Sequence, residues 1–196
     1  MNRRLFIACL AAAGIMAPVG IASAAKRGHG LIWHPQPKPL SNIAFQDAAG
    51  LERPLSAFEG KAVVINFWAS WCLPCVVELP SIDRLKAAAN ASRFDILAVS
   101  VDIKGRPAAE AAFHRFGIKN LEPFVDERKH AVENLAIPFL PTTLLIDRQG
   151  REAGRYLGAG EWDGPEAGRL LDILYSGEAM PAGFSIPKLD SPKVAP

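Results

Sequence analysis

Two cysteines separated by two residues, Cys72 and Cys75, form the pattern in this sequence that is best suited to chemistry. They follow a mainly apolar run at 62–68, which is typical of a buried strand, and they precede a stretch with helical spacing. The start of a helix offers unpaired backbone N–H groups and the positive end of the helix dipole, and both stabilise a thiolate. Because the thiolate is the species that attacks disulfides, this position predicts thiol-disulfide chemistry.

A structural staple and a metal site are the alternatives for the cysteine pair. A disulfide that closes so short a loop constrains the unfolded chain very little, so it would add little stability. A zinc site needs two further ligands, but two of the four histidines lie in a Pro- and Gly-rich segment ahead of the predicted domain and the other two are isolated in sequence. These histidines, which we expect to be solvated, are His29, His34, His114 and His130. We therefore expect a redox pair, with no metal and no cofactor.

The elements that position the cysteines alternate between strands and helices. The run 62–68 is apolar except for Asn66, which predicts a strand buried on both faces. Residues 75–89 have apolar positions three apart and predict a helix, in which Pro80 removes one backbone donor and imposes a kink. A second buried strand is predicted at 94–101. Two parallel strands joined by a helix form a right-handed βαβ unit, and the cysteines lie at its first turn.

Further elements are predicted on both sides of this unit. They are a strand at 43–45 and a helical turn at 56–59 before it and, after it, a helix at 107–116, a strand at 124–126, a helix at 128–135, a hairpin of 142–147 and 151–157, and a helix at 164–175. The prediction is an α/β fold with a central mixed sheet flanked by helices. It includes an N-terminal strand extension and an insertion after the βαβ unit.

Residues 1–24 have the pattern of an export signal. Arg3 and Arg4 precede a charge-free stretch that passes into Ala-Ser-Ala at 22–24, which predicts cleavage there or one residue later. The alternative is an uncleaved membrane anchor, since the charge-free stretch is nearly long enough to span a bilayer. The paired arginines also fit a twin-arginine signal. The third cysteine, Cys9, lies in this segment and is expected to be removed with it.

Proline-rich segments flank the predicted domain at 41–178. Residues 25–40 carry alternating prolines and predict an extended linker. Residues 179–196 contain four prolines and predict a surface or disordered tail, whose removal we expect to leave the chemistry intact. The chain has 22 basic and 20 acidic residues, and cleavage after residue 24 would remove two arginines. The remaining protein would then have no formal net charge. A neutral protein has no charge excess suited to nucleic acid or to an anionic membrane surface.

Four stretches make the chain resemble the TlpA/ResA-like group of exported thiol-disulfide oxidoreductases, which have the thioredoxin fold. They are residues 66–75 with the sequence NFWASWCLPC, residues 78–80, residues 141–147, and Gly158 ahead of the last helix. The resemblance implies that Cys72 attacks a partner disulfide and that Cys75 resolves the mixed disulfide. Pro74 helps set the geometry of the spacer. Trp71 lies beside Cys72, where core packing and substrate contact are equal alternatives.

Two further positions follow from the resemblance. Pro141 matches the family's cis-proline, which faces the thiols and presents backbone to an extended substrate, and Thr142 follows it as the family requires. A trans proline at the first residue of a strand is the alternative. Where thioredoxin itself has an acidic residue beneath the thiols, this chain has Asn66, as the TlpA/ResA-like group does.

The titratable group near the thiols is instead Glu78. It follows Cys75 by three residues, so it lies on the next turn of the helix and on nearly the same face, where it can take or relay the thiol proton. A carboxylate near the thiols disfavours the thiolate, which indicates a reductant rather than a strong oxidant. The alternative is a surface glutamate that interacts with the helix dipole.

The resemblance also implies partners. A reductant in an oxidising compartment needs an electron supply, implied here to be a membrane disulfide reductase. The implied recipients are the haem-attachment cysteines of apocytochrome c or the copper-ligand cysteines of a respiratory oxidase, so we expect a periplasmic or other extracytoplasmic location. A general disulfide oxidase or isomerase and a Cu(I)-carrying module are the main alternatives. A peroxidase is disfavoured because residues 66–72 lack the Pro and Thr of peroxidatic loops.

Overall fold

The computed structural model describes residues 29–40 and 43–189. The strands are β1 Gly30–Pro39, β2 Ala44–Gln46, β3 Glu52–Pro54, β4 Ala62–Trp68, β5 Phe94–Ser100, β6 Pro123–Val125, β7 Thr142–Ile146 and β8 Arg151–Leu157. The helices are α1 Leu73–Ala88, α2 Arg106–Phe116, α3 His130–Asn134 and α4 Pro165–Ser176, and a single 3₁₀ turn, Leu55–Phe58, precedes β4. The predicted export signal at 1–24 lies outside the described residues. None of the described helices is both long and apolar enough to cross a bilayer.

All eight described strands form one mixed sheet in the order β1-β8-β7-β4-β5-β6-β2-β3. β5 runs parallel to β4 and to β6, and the other neighbouring strands are antiparallel. β4 lies in the middle and is buried at every position, which agrees with its largely apolar sequence. α1 connects β4 to β5, so the predicted βαβ unit is present. The α/β thioredoxin fold, with helices flanking a central mixed sheet, is confirmed.

The predicted insertion follows the βαβ unit and contains α2, β6 and α3. Trp68, at the end of β4, is fully buried and stacks on Phe113 of α2, with ring centroids 5.3 Å apart. The contact fixes the insertion against the strand that leads to the cysteines. Trp68 is therefore a core residue.

The N-terminal boundary differs from the prediction. Residues 30–39, assigned to a linker at 25–40, form the edge strand β1, which pairs antiparallel with β8. Prolines are tolerated at the edge of a sheet because one side of the strand needs no N–H donors, and the register shifts between Trp33 and Lys38. Gly154 of β8 permits the pairing, since a Cβ atom there would lie 2.6 Å from a backbone oxygen of β1.

The histidine of this strand also differs from the prediction. His34 is buried, not solvated, and its Nε2 atom lies 2.8 Å from Oε1 of Glu152 on β8. A strand that carries a buried, hydrogen-bonded side chain is part of the folded domain. The domain therefore begins ahead of residue 41.

The C-terminal boundary differs in the same way. Residues 179–189, assigned to a surface or disordered tail at 179–196, lie against the loop that follows β8, and Ile186 is buried. An antiparallel bridge between Gly160 and Lys188 holds this C-terminal segment: Glu161 N–H donates to Pro187 C=O at 2.9 Å, and Leu189 N–H donates to Ala159 C=O at 3.1 Å. Contacts made by backbone groups leave no apolar periodicity in the side chains, so this packing was not predicted. Residues 190–196 lie outside the described part.

Candidate active site

Cys72 and Cys75 are joined by a disulfide bond at the start of α1. Cys72 is the residue that precedes the helix, and Cys75 lies in its first turn. Cys72 is 6 % exposed and Cys75 is fully buried, so Cys72 is the more accessible of the two cysteines. Once the bond is reduced, the helix N-terminus favours the thiolate form of the sulfur that lies in front of it.

A buried aspartate fixes the loop that carries the cysteines. The Asp102 carboxylate accepts two hydrogen bonds from Ser70, from its backbone N–H at 2.9 Å and from its hydroxyl at 2.8 Å. It also accepts a bond from the hydroxyl of Ser100, at the end of β5, at 2.8 Å. The approach to Cys72 is thereby tied to the neighbouring strand. Asp102 was not predicted as a site residue, although its place two residues after Ser100, at the end of a buried strand, is the one signal that points to it.

The two tryptophans near the cysteines lie in opposite environments. Trp68 belongs to the core, whereas Trp71 is 71 % exposed. The alternative that Trp71 is a core-packing residue is therefore excluded. An exposed indole beside the more accessible sulfur offers apolar surface to a partner.

The Leu140–Pro141 peptide bond is cis, as predicted. Pro141 and Pro74 both line a groove of about 230 Å³, which we call the cis-proline groove, and Phe139 and Leu189 of the C-terminal segment line it as well. Thr142 is buried, and its hydroxyl donates to the carbonyl of Phe139 at 2.8 Å. The structure therefore brings the predicted Pro74, Pro141 and Thr142 to one place. The contribution of the C-terminal segment was not predicted.

Glu78 is fully buried, which excludes the surface glutamate. Its Oε1 atom accepts a hydrogen bond from the side-chain amide of Asn66 at 2.8 Å. Its Oε2 atom accepts two, from the backbone N–H of Gly160 at 2.9 Å and from the indole N–H of Trp162 at 3.1 Å. The Asn66 amide also donates to the hydroxyl of Thr143 at 3.0 Å. The carboxyl group thus connects α1 to β4 and to the loop after β8.

Burial raises the pKa of Glu78 to about 7, although its hydrogen bonds to Gly160, Asn66 and Trp162 act in the opposite direction. Burial also raises the pKa of Tyr156 to about 12, and the negative charge of Glu78 adds to that shift. Glu78 therefore changes its protonation state near neutral pH, one helical turn beyond Cys75. This is the range in which a group exchanges protons with a thiol effectively.

Sequence reasoning did not find Gly160 and Trp162, which hold the Glu78 carboxyl. They are 82 and 84 residues away from it, and only Gly158 was singled out in that loop. Gly160 is closely surrounded, since a Cβ atom there would lie 3.2 Å from side-chain atoms of Ile186, Trp162 and Tyr156. The C-terminal segment thus packs directly behind the donors of Glu78.

A thioredoxin fold with a Cys-x-x-Cys disulfide at the first turn of α1, and a cis-proline directly before β7, define a thioredoxin-like redox domain. The chain belongs to the Redoxin family, whose model matches residues 38–171.

Several known proteins are similar to it. Thiol-disulfide oxidoreductase ResA of Geobacillus kaustophilus (strain HTA426) is 39 % identical over 112 residues, 56 % of this chain and 62 % of that protein. ResA of Geobacillus thermodenitrificans (strain NG80-2) is 36 % identical over 113 residues, with the same coverage. The match therefore spans less than two thirds of the length of these relatives.

Solved structures show the same fold. A DsbF homologue from Corynebacterium diphtheriae superposes with a TM-score of 0.62 at 22 % identity, over 78 % of this chain and 96 % of that one. The pneumococcal exposed lipoprotein thioredoxin Etrx1, from Streptococcus pneumoniae strain TIGR4, gives a TM-score of 0.53 at 28 % identity, over 63 % and 93 % of the two chains.

Proposed function

We propose that this protein is an exported thiol-disulfide oxidoreductase that reduces protein disulfides through Cys72 and Cys75. The observation that carries the proposal is their disulfide at the N-terminus of α1, with one sulfur more accessible than the other. The similarity to ResA proteins, which are named as thiol-disulfide oxidoreductases, supports the same activity.

In the first step, the thiolate of Cys72 attacks one sulfur of a partner's disulfide. A mixed disulfide forms between Cys72 and the partner, and the partner's own S–S bond breaks. The second sulfur of the partner leaves as a thiolate and takes a proton from water. Trp71, exposed beside Cys72, contacts the partner in this complex.

In the second step, Cys75 loses its thiol proton and attacks the sulfur of Cys72. The Cys72–Cys75 bond forms, the bond to the partner breaks, and the second partner thiol is released, so two electrons have passed to the partner. Glu78 accepts the proton of Cys75 because its pKa of about 7 leaves part of it ionised at neutral pH. An electron donor then reduces the disulfide for the next cycle.

Glu78 also bears on the direction of electron flow. Its negative charge disfavours the thiolate form of the reduced pair, and a pair whose thiolate is poorly stabilised is a reductant. Each described hydrogen bond to this carboxylate comes from an uncharged donor, so no cation of the described chain offsets its charge through such a bond. We propose a membrane disulfide reductase as electron donor.

The proposed recipients are the haem-attachment cysteines of apocytochrome c or the copper-ligand cysteines of a respiratory oxidase. These recipients follow the resemblance to the TlpA/ResA-like group. The leader at 1–24 supports an extracytoplasmic location, where such cysteines become oxidised.

A trapping experiment tests the proposal. Cys75→Ser leaves Cys72 as a mixed disulfide with its partner, and the partner is identified by mass after capture from an extracytoplasmic extract. Cys72→Ser is the matched control, because it keeps only the fully buried sulfur and should trap nothing. Adducts with Cys72→Ser at the same yield, or none with either variant, would overturn the proposal.

The direction of electron flow is tested separately. The reduced protein should reduce a synthetic peptide that carries a Cys-x-x-Cys-His disulfide, the haem-attachment pattern. Equilibration with glutathione should place its reduction potential below the glutathione couple. A potential near that of strong protein oxidants would contradict the reducing role and leave the exchange chemistry intact.

A further inference from the structure

We propose that a second groove, along α2, binds an acidic, extended segment of the substrate polypeptide next to its cysteine. The proposal rests on the proposed function and adds a substrate preference to it. The α2 groove has a volume of about 430 Å³ and is lined by, among others, Ser70, Lys104, Ala108, Ala111, Arg115 and Phe116. It begins at the loop that carries Cys72 and is separate in its lining from the cis-proline groove.

The position of the groove is fixed by the Asp102 hydrogen bonds. Because Asp102 binds Ser70 through two short bonds, the chain that follows it lies beside the cysteine loop. Lys104 is two residues beyond Asp102 and reaches the groove with Ser70. A polypeptide joined to Cys72 through a disulfide therefore has the mouth of the α2 groove next to it.

Exposed apolar side chains flank Cys72 in sequence and follow Asp102, whose carboxylate holds the loop ahead of Cys72. Trp71, Leu73 and Ile103 are 71 %, 53 % and 88 % exposed, and they are three of the five large apolar side chains that are exposed in the described residues. The first two flank Cys72 in sequence, and Ile103 follows Asp102 directly. Exposed apolar side chains gathered at one site indicate a surface that a partner covers. We call these three residues the apolar rim.

The groove itself has two contrasting features. Its floor contains small side chains, Ala108 and Ala111, on one face of α2, which leaves room for an extended chain. Its charged lining residues are Lys104 and Arg115, and neither forms an ion pair with any residue that the structure describes. Glu110 of the same helix does not line the groove.

These features select one occupant. Two cations in a concave site attract carboxylates, which favours acidic residues in the bound segment. The apolar rim favours a large apolar side chain next to the reacting cysteine. A segment of the disulfide-bearing substrate satisfies both features, since its cysteine places it at the mouth of the groove.

The experiment uses two peptides with the same internal disulfide, one with glutamates and one with lysines beside it. Bis(hydroxyethyl) disulfide, small and neutral, reports the chemistry alone. At low salt the reduced protein should reduce the acidic peptide with a kcat/KM about tenfold above that of the basic peptide, and high salt should remove the difference.

Lys104→Glu with Arg115→Glu should abolish or reverse this preference and leave turnover of the small disulfide unchanged. Arg128→Glu with Arg169→Glu is the control for total charge, because neither of these exposed residues lines the groove. Ile103→Ser should raise the KM for both peptides about threefold, whereas Leu51→Ser, at a residue that is 63 % exposed and lies outside the groove lining, should not.

The outcomes separate the two proposals. Equal kcat/KM for both peptides, or equal effects of the groove variant and its charge control, would overturn the α2 groove as a substrate site. No turnover of either peptide or of the small disulfide would instead contradict the proposed oxidoreductase function. A preference for the acidic peptide that survives the groove variant would place the recognition elsewhere and would also reject the proposal.

Discussion

Glu78 and Glu152 are both buried, with 0 % and 2 % of their surface exposed, yet their carboxyl groups have opposite pKa shifts. Burial alone raises the pKa of both, because it penalises the charged form. The groups that bind each carboxyl contribute to the difference, because they are uncharged at Glu78 and include a cation at Glu152.

Neutral donors surround Glu78. A side-chain amide, a backbone N–H and an indole N–H each donate one hydrogen bond, and together they do not offset burial, so the pKa of Glu78 rises to about 7. Cationic or ionisable partners surround Glu152. Arg155 donates from Nε to Oε1 at 2.7 Å and from Nη2 to Oε2 at 2.8 Å, and His34 lies 2.8 Å from Oε1.

Burial acts to raise the pKa of Glu152, but the hydrogen bonds and charges of Arg155 and His34 outweigh it and lower the pKa. Glu152 therefore stays ionised at neutral pH and holds β1 to β8. Arg155 extends this cluster through Nη2, which donates to the carbonyl of Leu135 at 3.3 Å. Glu152 is the structural glutamate because a cation binds it, whereas Glu78, which only uncharged donors bind, titrates in the range of the chemistry.

The largest expected effect is that of Glu152→Gln on stability. The substitution removes the countercharge of Arg155, which is only 18 % exposed, and leaves that cation without its ion pair. Breaking a buried pair in this way should lower the free energy of unfolding by about 4 kcal/mol. Urea unfolding of the oxidised protein at neutral pH measures the loss.

A surface ion pair provides the control. Arg84 and Asp163 are 61 % and 35 % exposed, so Asp163→Asn should cost less than about 1 kcal/mol. A loss of that small size for Glu152→Gln as well would mean that the two carboxyls do not differ as the comparison requires.

The next effect concerns how stability depends on pH. The pKa of Glu78 is raised from 4.5 to about 7 on folding, so the folded state prefers the protonated carboxyl. The stability that the protonated carboxyl contributes is fully present below pH 4.5 and is lost as the pH rises through 7. The expected loss is on the order of 3 kcal/mol across this window.

Glu78→Gln should remove this pH dependence, which unfolding curves measured at intervals between pH 4 and 8 would show. Glu152 has the opposite sign, because its lowered pKa gives stability above the ordinary value that is lost in acid. Its contribution should therefore remain in the Glu78→Gln protein. An unchanged slope between pH 5 and 7 in that variant would contradict the assignment.

The sequence predicted the parts of the molecule that depend on local pattern. The largely apolar strands β4 and β5 and the helix between them placed the cysteines correctly, and helical spacing placed Glu78 one turn after Cys75. Its burial could not be predicted, because Gly160 and Trp162 reach it from beyond 80 residues away in the chain.

The predicted boundaries of the domain were wrong for a related reason. β1 and the C-terminal segment 179–189 contain prolines and bind through backbone groups, which leave no periodicity in the side chains. Alternating prolines are typical of an extended linker, and only the pairing with β8 makes residues 30–39 an edge strand.

The smallest effect separates the donors of Glu78 from one another. Trp162→Phe removes one of the three hydrogen bonds that lower the pKa of Glu78 and should raise that pKa by about half a unit. NMR titration of the carboxyl carbon measures the change directly. The shift should be smaller than that produced at Glu152 by Arg155→Met, because the indole carries no charge.

Trp68→Phe is the matched control for this last variant. Trp68 is as deeply buried as Trp162, but its indole N–H has no hydrogen-bond partner in the described chain, so its loss removes packing without removing a donor. The pKa of Glu78 should stay unchanged in that protein although stability falls by a similar amount. Equal pKa shifts in the two variants would mean that packing, and not the indole hydrogen bond, sets the titration of Glu78. The neutral-donor account of its difference from Glu152 would then fail.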